Sequence, residues 1–226
     1  MKGGTFRFKQ FTVCQERAAM KVGTDGTLLG AWAAGGRRIL DVGTGTGLIA
    51  LLMAQRFSDA RVVAIDIEPQ ACGQALENVK ASPFSRQISV LNLPLQQYHS
   101  DALFDAIVCN PPFFAAAMKS PDAQRSLARH ADSLSFQDLC LHSRRLLTPV
   151  GTLSVIIPCD SLGRMETAAA FACLHIVKRT FFHTAPVGAP RRVLLALSPT
   201  ARAEEVGALH IHSAEYRELT RPFYIE

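Results

Sequence analysis

Long apolar runs are missing from this chain. No stretch approaches the roughly 20 residues that a membrane-spanning helix requires. The opening segment, MKGGTFRFKQFTV, lacks an apolar stretch with a small-residue cleavage site, so no signal peptide is expected and the cytoplasm is the expected compartment. Cysteines are few and scattered. Cys14, Cys72, Cys109, Cys140, Cys159 and Cys173 show no Cys-x-x-Cys spacing, which excludes a zinc ribbon and a disulfide framework and implies free thiols in a reducing setting. His210 and His212 alternate as metal ligands on one strand face can, but no Cys or carboxylate accompanies them; a solvated edge strand is expected there, and no metal. Acidic excess is also missing: 24 Lys and Arg stand against 19 Asp and Glu, giving a net charge of +5. A basic balance suits an anionic partner, with nucleic acid the commonest.

The chain does contain alternation. From Arg38 onward, β-type runs (RILDVG, ARVVAIDI, QISVLNL, FDAIVC, GTLSVIIP) are separated by stretches with helical spacing such as GLIALLMAQRF, EPQACGQALENVKAS, SFQDLCLHSRRLL and LGRMETAAAFACL. Strands joined by helical crossovers imply a doubly wound, mostly parallel α/β sheet. The last two runs, HIVKRTFFHT and RRVLLALSP, are joined only by APVGAP. That short loop predicts a hairpin and hence one antiparallel strand. Residues 1–37 stand outside the alternation and read as a small N-terminal extension, a hairpin around TFRFKQFTV and then a helix containing DGTLLGAWA. Residues 38–226 form the main domain.

Between the first strand and first helix of the sheet lies LDVGTGTG. A dinucleotide fingerprint spaces its glycines G-x-G-x-x-G; here Gly43, Gly45 and Gly47 are spaced G-x-G-x-G, with Asp41 two residues before them. Glycines there let backbone approach a ligand closely. Asp41 would repel a pyrophosphate and attract a cation, while Asp66, ending the second strand, is placed to accept both hydroxyls of a ribose. A ribose-binding acid beside a second carboxylate suits S-adenosylmethionine, whose amino-acid end carries an ammonium. The bland alternative is a turn that uses glycine merely to turn.

After the fourth strand comes CNPPFF, Cys109 to Phe114, at the carboxyl edge where open α/β sheets bind ligands. An exocyclic amine on a base is a poor nucleophile because its lone pair is delocalised into the ring. Two neutral acceptors, the Asn110 side-chain oxygen and the Pro111 carbonyl, would each take one N–H and aim the lone pair at a methyl donor. Pro111 and Pro112 hold those acceptors rigid, and Phe113 would stack on the base. The competing reading is a proline turn with a core phenylalanine. Asp105, in contrast, reads as a structural residue at a strand start. The following segment carries Lys119, Arg125 and Arg129, candidates for clamping phosphates or simply a solvated loop.

Asp41-x-Gly43-x-Gly45-x-Gly47 with Asp66 resembles the class I S-adenosylmethionine-dependent methyltransferases, which implies a Rossmann-like sheet of seven strands. In that family an Asp after the third strand often contacts the cofactor adenine; here Pro94 falls at that place, which leaves backbone around Asn92 to Leu95 for the contact. Asn-Pro-Pro-aromatic is associated there with nitrogen acceptors conjugated to a ring or carbonyl. The stretch FKQFTVCQERAAMKVGTDGTLLGAWA, together with NPPFF, RRVLLALSP and LTRPFYIE, resembles the bacterial tRNA1(Val) (adenine-37-N6)-methyltransferases over nearly the whole chain. That resemblance implies tRNA as partner, an anticodon-loop adenine as acceptor, and cofactor coverage by KVGT, which nominates Lys21 and Thr24; a monomer is the default expectation, carried by no motif. Asn110 would also border the cofactor. Glutamine N5-methylation of protein, rRNA base methylation and a non-catalytic RNA-binding module stay open as alternatives.

Overall fold

An eight-stranded sheet carries the molecule, and the order of its strands decides where chemistry can occur. The computed structural model describes residues 4–17, 21–111, 134–185 and 187–225. The chain begins with a hairpin, β1 (Thr5–Arg7) and β2 (Thr12–Cys14), followed by helix α1 (Thr24–Trp32). The sheet elements follow: β3 (Arg38–Val42), α2 (Leu48–Arg56), β4 (Arg61–Asp66), α3 (Pro69–Lys80), β5 (Ile88–Asn92) and β6 (Phe104–Cys109). After these come α4 (Phe136–Leu146), β7 (Leu147–Pro158), α5 (Leu162–Phe171), β8 (His175–His183), β9 (Arg192–Ser198), β10 (Glu205–His210) and α6 (Ala214–Thr220).

The spatial order is β10-β8-β9-β7-β6-β3-β4-β5. Every pairing is parallel except those of β9, which runs antiparallel to both β7 and β8. The short APVGAP connection therefore makes the expected hairpin. The sheet has one strand more than the expected seven, because β10 adds to β8 at the outer edge. Its burial explains why periodicity missed it: in EVGALH only Leu209 is buried, so an edge strand facing water shows no apolar alternation. His210 ends that strand, and His212 lies beyond it in a turn with φ +64°, so the two histidines do not share a strand face.

Central strands are apolar on both sides, as a doubly covered parallel sheet demands. One face packs Ile39, Ala106, Val108 and Ile156 against α1, α2, α6 and the N-terminal hairpin, whose Phe8, Phe11 and Val13 are buried. The other packs Leu40, Val42, Ile107, Val155 and Ile157 against α4 and α5. The N-terminal residues are bound firmly to this body. Asn78 on α3 accepts from the Cys14 amide at 2.9 Å and donates to the Cys14 carbonyl at 2.8 Å. Asp25 on α1 pairs with Arg192 on β9 at 2.8 Å, and the Trp32 indole donates to Thr180 at 3.1 Å.

Candidate functional site

The loop after β3 turns through three residues that only glycine occupies easily. Gly43, Gly45 and Gly47 have φ of +70°, +55° and +81°, in the left-handed region that costs an L side chain about 1–2 kcal/mol. At Gly43 and Gly45 a Cβ would meet no atom within 4 Å, whereas at Gly47 it would come within 3.3 Å of the Ala75 Cβ. The first two thus keep open space beside the loop, and the third lets α2 pack on α3. The loop is anchored to the neighbouring strand, since the Gly43 and Thr44 amides both donate to the Ile65 carbonyl at 2.9 and 3.0 Å.

Asp41 sits beneath the loop, fully buried. Its Oδ2 accepts from the Thr44 hydroxyl at 2.6 Å and from the Ala50 amide at 3.1 Å. Helix α2 has Gly47 at its N-cap, which offers no side-chain acceptor, so the carboxylate of a preceding strand satisfies an orphan amide of its first turn. Oδ1 of Asp41 has no partner among the described residues. Burial pushes this carboxyl up to about 7, against the Thr44 and Ala50 hydrogen bonds that favour its charged form, with Asp66 adding a further upward push. A buried acid with an unengaged oxygen is suited to receive a cation.

Asp66 ends β4 as expected and is held on both oxygens, by the Gly45 amide at 2.8 Å and the Glu68 amide at 3.0 Å. Each oxygen keeps a further lone pair for a ligand hydroxyl. Beyond it, the Asn92 amide donates to the Asp66 and Ile67 carbonyls at 2.9 and 3.1 Å. The Asn92 side chain is therefore spent on shaping the turn that presents Asp66. Pro94 leads into a single 3-10 turn, Leu95–Gln97, and the Leu95 carbonyl accepts from Arg145 at 3.2 Å.

Asn110 leaves the sheet one strand over. Val42 pairs with Cys109, so Gly43 and Asn110 emerge side by side. The Asn110 Oδ1 is buried and has no partner among the described residues; Pro111, after it, is buried too. Such an orphaned acceptor calls for an explanation. The adjacent Cys109 is no nucleophile, because burial, with Asp41 and Asp66 assisting, pushes its thiol well above the usual range. Lys21 is exposed and Thr24 half-buried at the start of α1. Pro112, Phe113, Lys119, Arg125 and Arg129 lie outside the described residues.

Two features escaped sequence reasoning. Asp105 accepts from the Arg37 and Arg38 amides at 2.8 and 3.0 Å, the structural role expected of it, but Thr44 and Asn78 were not singled out. Asn78 also donates to the Thr46 carbonyl at 2.9 Å, so one side chain joins hairpin, helix and glycine loop. Its signal was an asparagine on the buried stripe of α3, among Ala71, Ala75 and Val79. Among the described residues no group of three His, Cys, Asp or Glu is placed to hold a metal, and no helix is long and apolar enough to cross a membrane.

Sheet order, a glycine loop after β3 and acids at the ends of β3 and β4 define a class I methyltransferase. Residues 26–157 match the family described as Methyltransferase small domain. Among solved structures, one described as a predicted O-methyltransferase from Agrobacterium tumefaciens superposes with a TM-score of 0.71 at 19% identity, covering 88% of this chain and 96% of its own. A glycopeptide N-methyltransferase solved with S-adenosylmethionine superposes with a TM-score of 0.55 at 12% identity, covering 80% and 90%. The tRNA1(Val) (adenine(37)-N6)-methyltransferase of Phocaeicola vulgatus is 48% identical over 97% of each chain. This chain belongs to the tRNA1(Val) (adenine(37)-N6)-methyltransferase family.

Proposed function

We propose that this protein transfers a methyl group from S-adenosylmethionine to N6 of adenine 37 in the anticodon loop of tRNA1(Val), working as a monomer in the cytoplasm. The observation that carries the proposal is the buried Asn110 oxygen, without a partner among the described residues, one strand away from the glycine loop, in a chain of this family. Three features of the loop and its neighbours support a donor site here. Asp41 offers a buried, unengaged oxygen to an ammonium, Gly43 and Gly45 leave the approach clear, and Asp66 is fixed where ribose hydroxyls would donate.

When bound there, S-adenosylmethionine supplies an electrophilic methyl on a sulfonium. The chain supplies everything else. Asn110 Oδ1 accepts one N–H of the adenine amine and the Pro111 carbonyl accepts the other. Those two bonds direct the nitrogen lone pair toward the donor and stabilise the positive charge that grows on nitrogen, without any strong base. The methylated nitrogen then loses a proton readily. Pro112 keeps the acceptors stiff, Phe113 stacks on the base, and Lys119, Arg125 and Arg129 hold neighbouring phosphates. Residues 1–37 cover the cleft, with Lys21 and Thr24 over the cofactor. A base in an anticodon loop is already partly unstacked, so drawing it into the pocket costs less than flipping it from a duplex.

Incubation with labelled donor and, in separate reactions, total tRNA, rRNA, or ribosomal and release-factor proteins tests this reading. Label in tRNA, recovered as N6-methyladenosine by nucleoside mass spectrometry, is expected. Label in protein glutamine, or in rRNA, would overturn it.

A further inference from the structure

We propose that the rim formed by His183, Arg191 and His210 is the track on which the RNA flanking the target base lies, an inference that rests on the function proposed above. The strand order provides the direction. The donor loop and Asp66 belong to β3 and β4, on one side of β6; on the other side β7, β9, β8 and β10 follow in turn. A polynucleotide whose base enters beside Asn110 must leave the cleft, and the edge formed by these strands is the path proposed for it. Three strand spacings of about 4.8 Å separate β6 from β8, and register places His183 four residues beyond the level of Cys109, so the end of β8 lies roughly 20 Å from the end of β6, within reach of a few nucleotides.

What the rim offers suits single-stranded RNA. β8 and β10 end at the same edge, where His183 and His210 are register partners. Their rings stack with centroids 4.2 Å apart and planes 13° apart. The hairpin loop fixes this platform: His183 Nδ1 lies 3.2 Å from the Gly188 carbonyl. A carbonyl only accepts, so Nδ1 carries the proton. The Ile211 amide donates to the His183 carbonyl at 2.9 Å, closing the end of β10 onto β8. Arg191 is exposed, and its backbone is clamped on both sides: its amide donates to Phe182 and its carbonyl accepts from Cys159, each at 3.2 Å. An exposed guanidinium on a fixed stretch of backbone, next to an aromatic pair, is the combination that grips phosphate and stacks a base without reading sequence. Carboxylates along this rim have other partners: Asp25 pairs with Arg192, and Asp160 accepts from the Ser161 hydroxyl. Glu215 is held below the usual range by bonds from its own backbone and Ser213, with His210 adding to them.

The test is fluorescence anisotropy with a labelled anticodon stem–loop RNA, with calorimetry of S-adenosylhomocysteine as the control. Arg191→Glu should weaken RNA binding about tenfold and make the slope of log K against log salt shallower by about 1. His183→Ala with His210→Ala should weaken it about fivefold, on the scale of a lost stacking contact. Affinity for S-adenosylhomocysteine should stay within about twofold of wild type in both. RNA binding unchanged in Arg191→Glu overturns the track, whether or not the double variant folds, as does wild-type protein that fails to bind the RNA. Methylation of the same RNA by wild type is scored separately. Methylation with unaltered Arg191→Glu binding sinks the track alone; no methylation of any tRNA sinks the functional reading.

Discussion

The Gly45 amide donates to the Asp66 carboxylate at 2.8 Å, tying the loop after β3 to the acid at the end of β4. The bond spans 21 residues of sequence and makes the two halves of the donor site a single unit. The acid is positioned before any ligand arrives, which lowers the ordering cost of binding.

Asn110 should matter to turnover and little to donor binding. Asn110→Ala is expected to leave the affinity for S-adenosylhomocysteine near wild type while lowering kcat at least about 100-fold, the scale of one lost preorganised polar group. Calorimetry and single-turnover assays on tRNA check both halves. Wild-type kcat in the variant would remove Asn110 from the chemistry.

Asp41 links pH to stability with a definite sign. Its carboxyl titrates at about 7 in the fold and near 3.8 unfolded, so between those values the native state keeps a proton that the unfolded chain releases. Its contribution to stability is therefore full below about pH 4, declines as pH rises to 7 and is flat above, by roughly 4 kcal/mol at most. Asp41→Asn should flatten this slope in urea unfolding and be at least as stable as wild type at pH 8. The same variant should lose donor affinity by tenfold or more, because the ammonium then meets no charge. Wild-type donor affinity should rise from pH 6 to 8.

Gly43 and Gly47 separate backbone freedom from space. Both have positive φ, but only Gly47 has a neighbour at the would-be Cβ, 3.3 Å away. Gly47→Ala should cost on the order of 2–3 kcal/mol in denaturant melts, adding crowding to the left-handed penalty. Gly43→Ala should cost about 1 kcal/mol in stability and be felt chiefly in donor affinity. Equal melting losses in the two variants would contradict this assignment.

Asn78 is nearly fully buried, and its three bonds reach the Cys14 backbone and the Thr46 carbonyl. Asn78→Ala leaves those groups unsatisfied, for an expected loss on the order of 3 kcal/mol, or roughly 6–12 °C in Tm for a chain this long. Hydrogen exchange at Cys14 should rise more than elsewhere, since the hairpin loses its tie to α3. A variant that melts like wild type would show the hairpin to be held by its aromatic packing alone.

Much of this was legible before any fold was drawn. Alternating strand and helix periods announced the doubly wound sheet, the short APVGAP link announced the antiparallel β9, and the aromatic run at the start announced the hairpin. These signals are local, because a residue's neighbours in sequence dictate which face it buries and which turns it can make. The positions of Gly43, Asp66 and Asn110 were legible for the same reason: each lies where a strand ends, and strand ends can be counted, while Gly45 and Gly47 follow in the turn that leads to α2. Tertiary structure alone decided that Asp41 caps α2 in place of its own N-cap, that Asn78 joins three elements, and that an eighth strand brings His210 against His183. Each of these depends on a partner distant along the chain or on the burial of an edge. Local periodicity carries no information about such partners, because the hydrogen bond or ring contact exists only once the sheet has brought the two segments together.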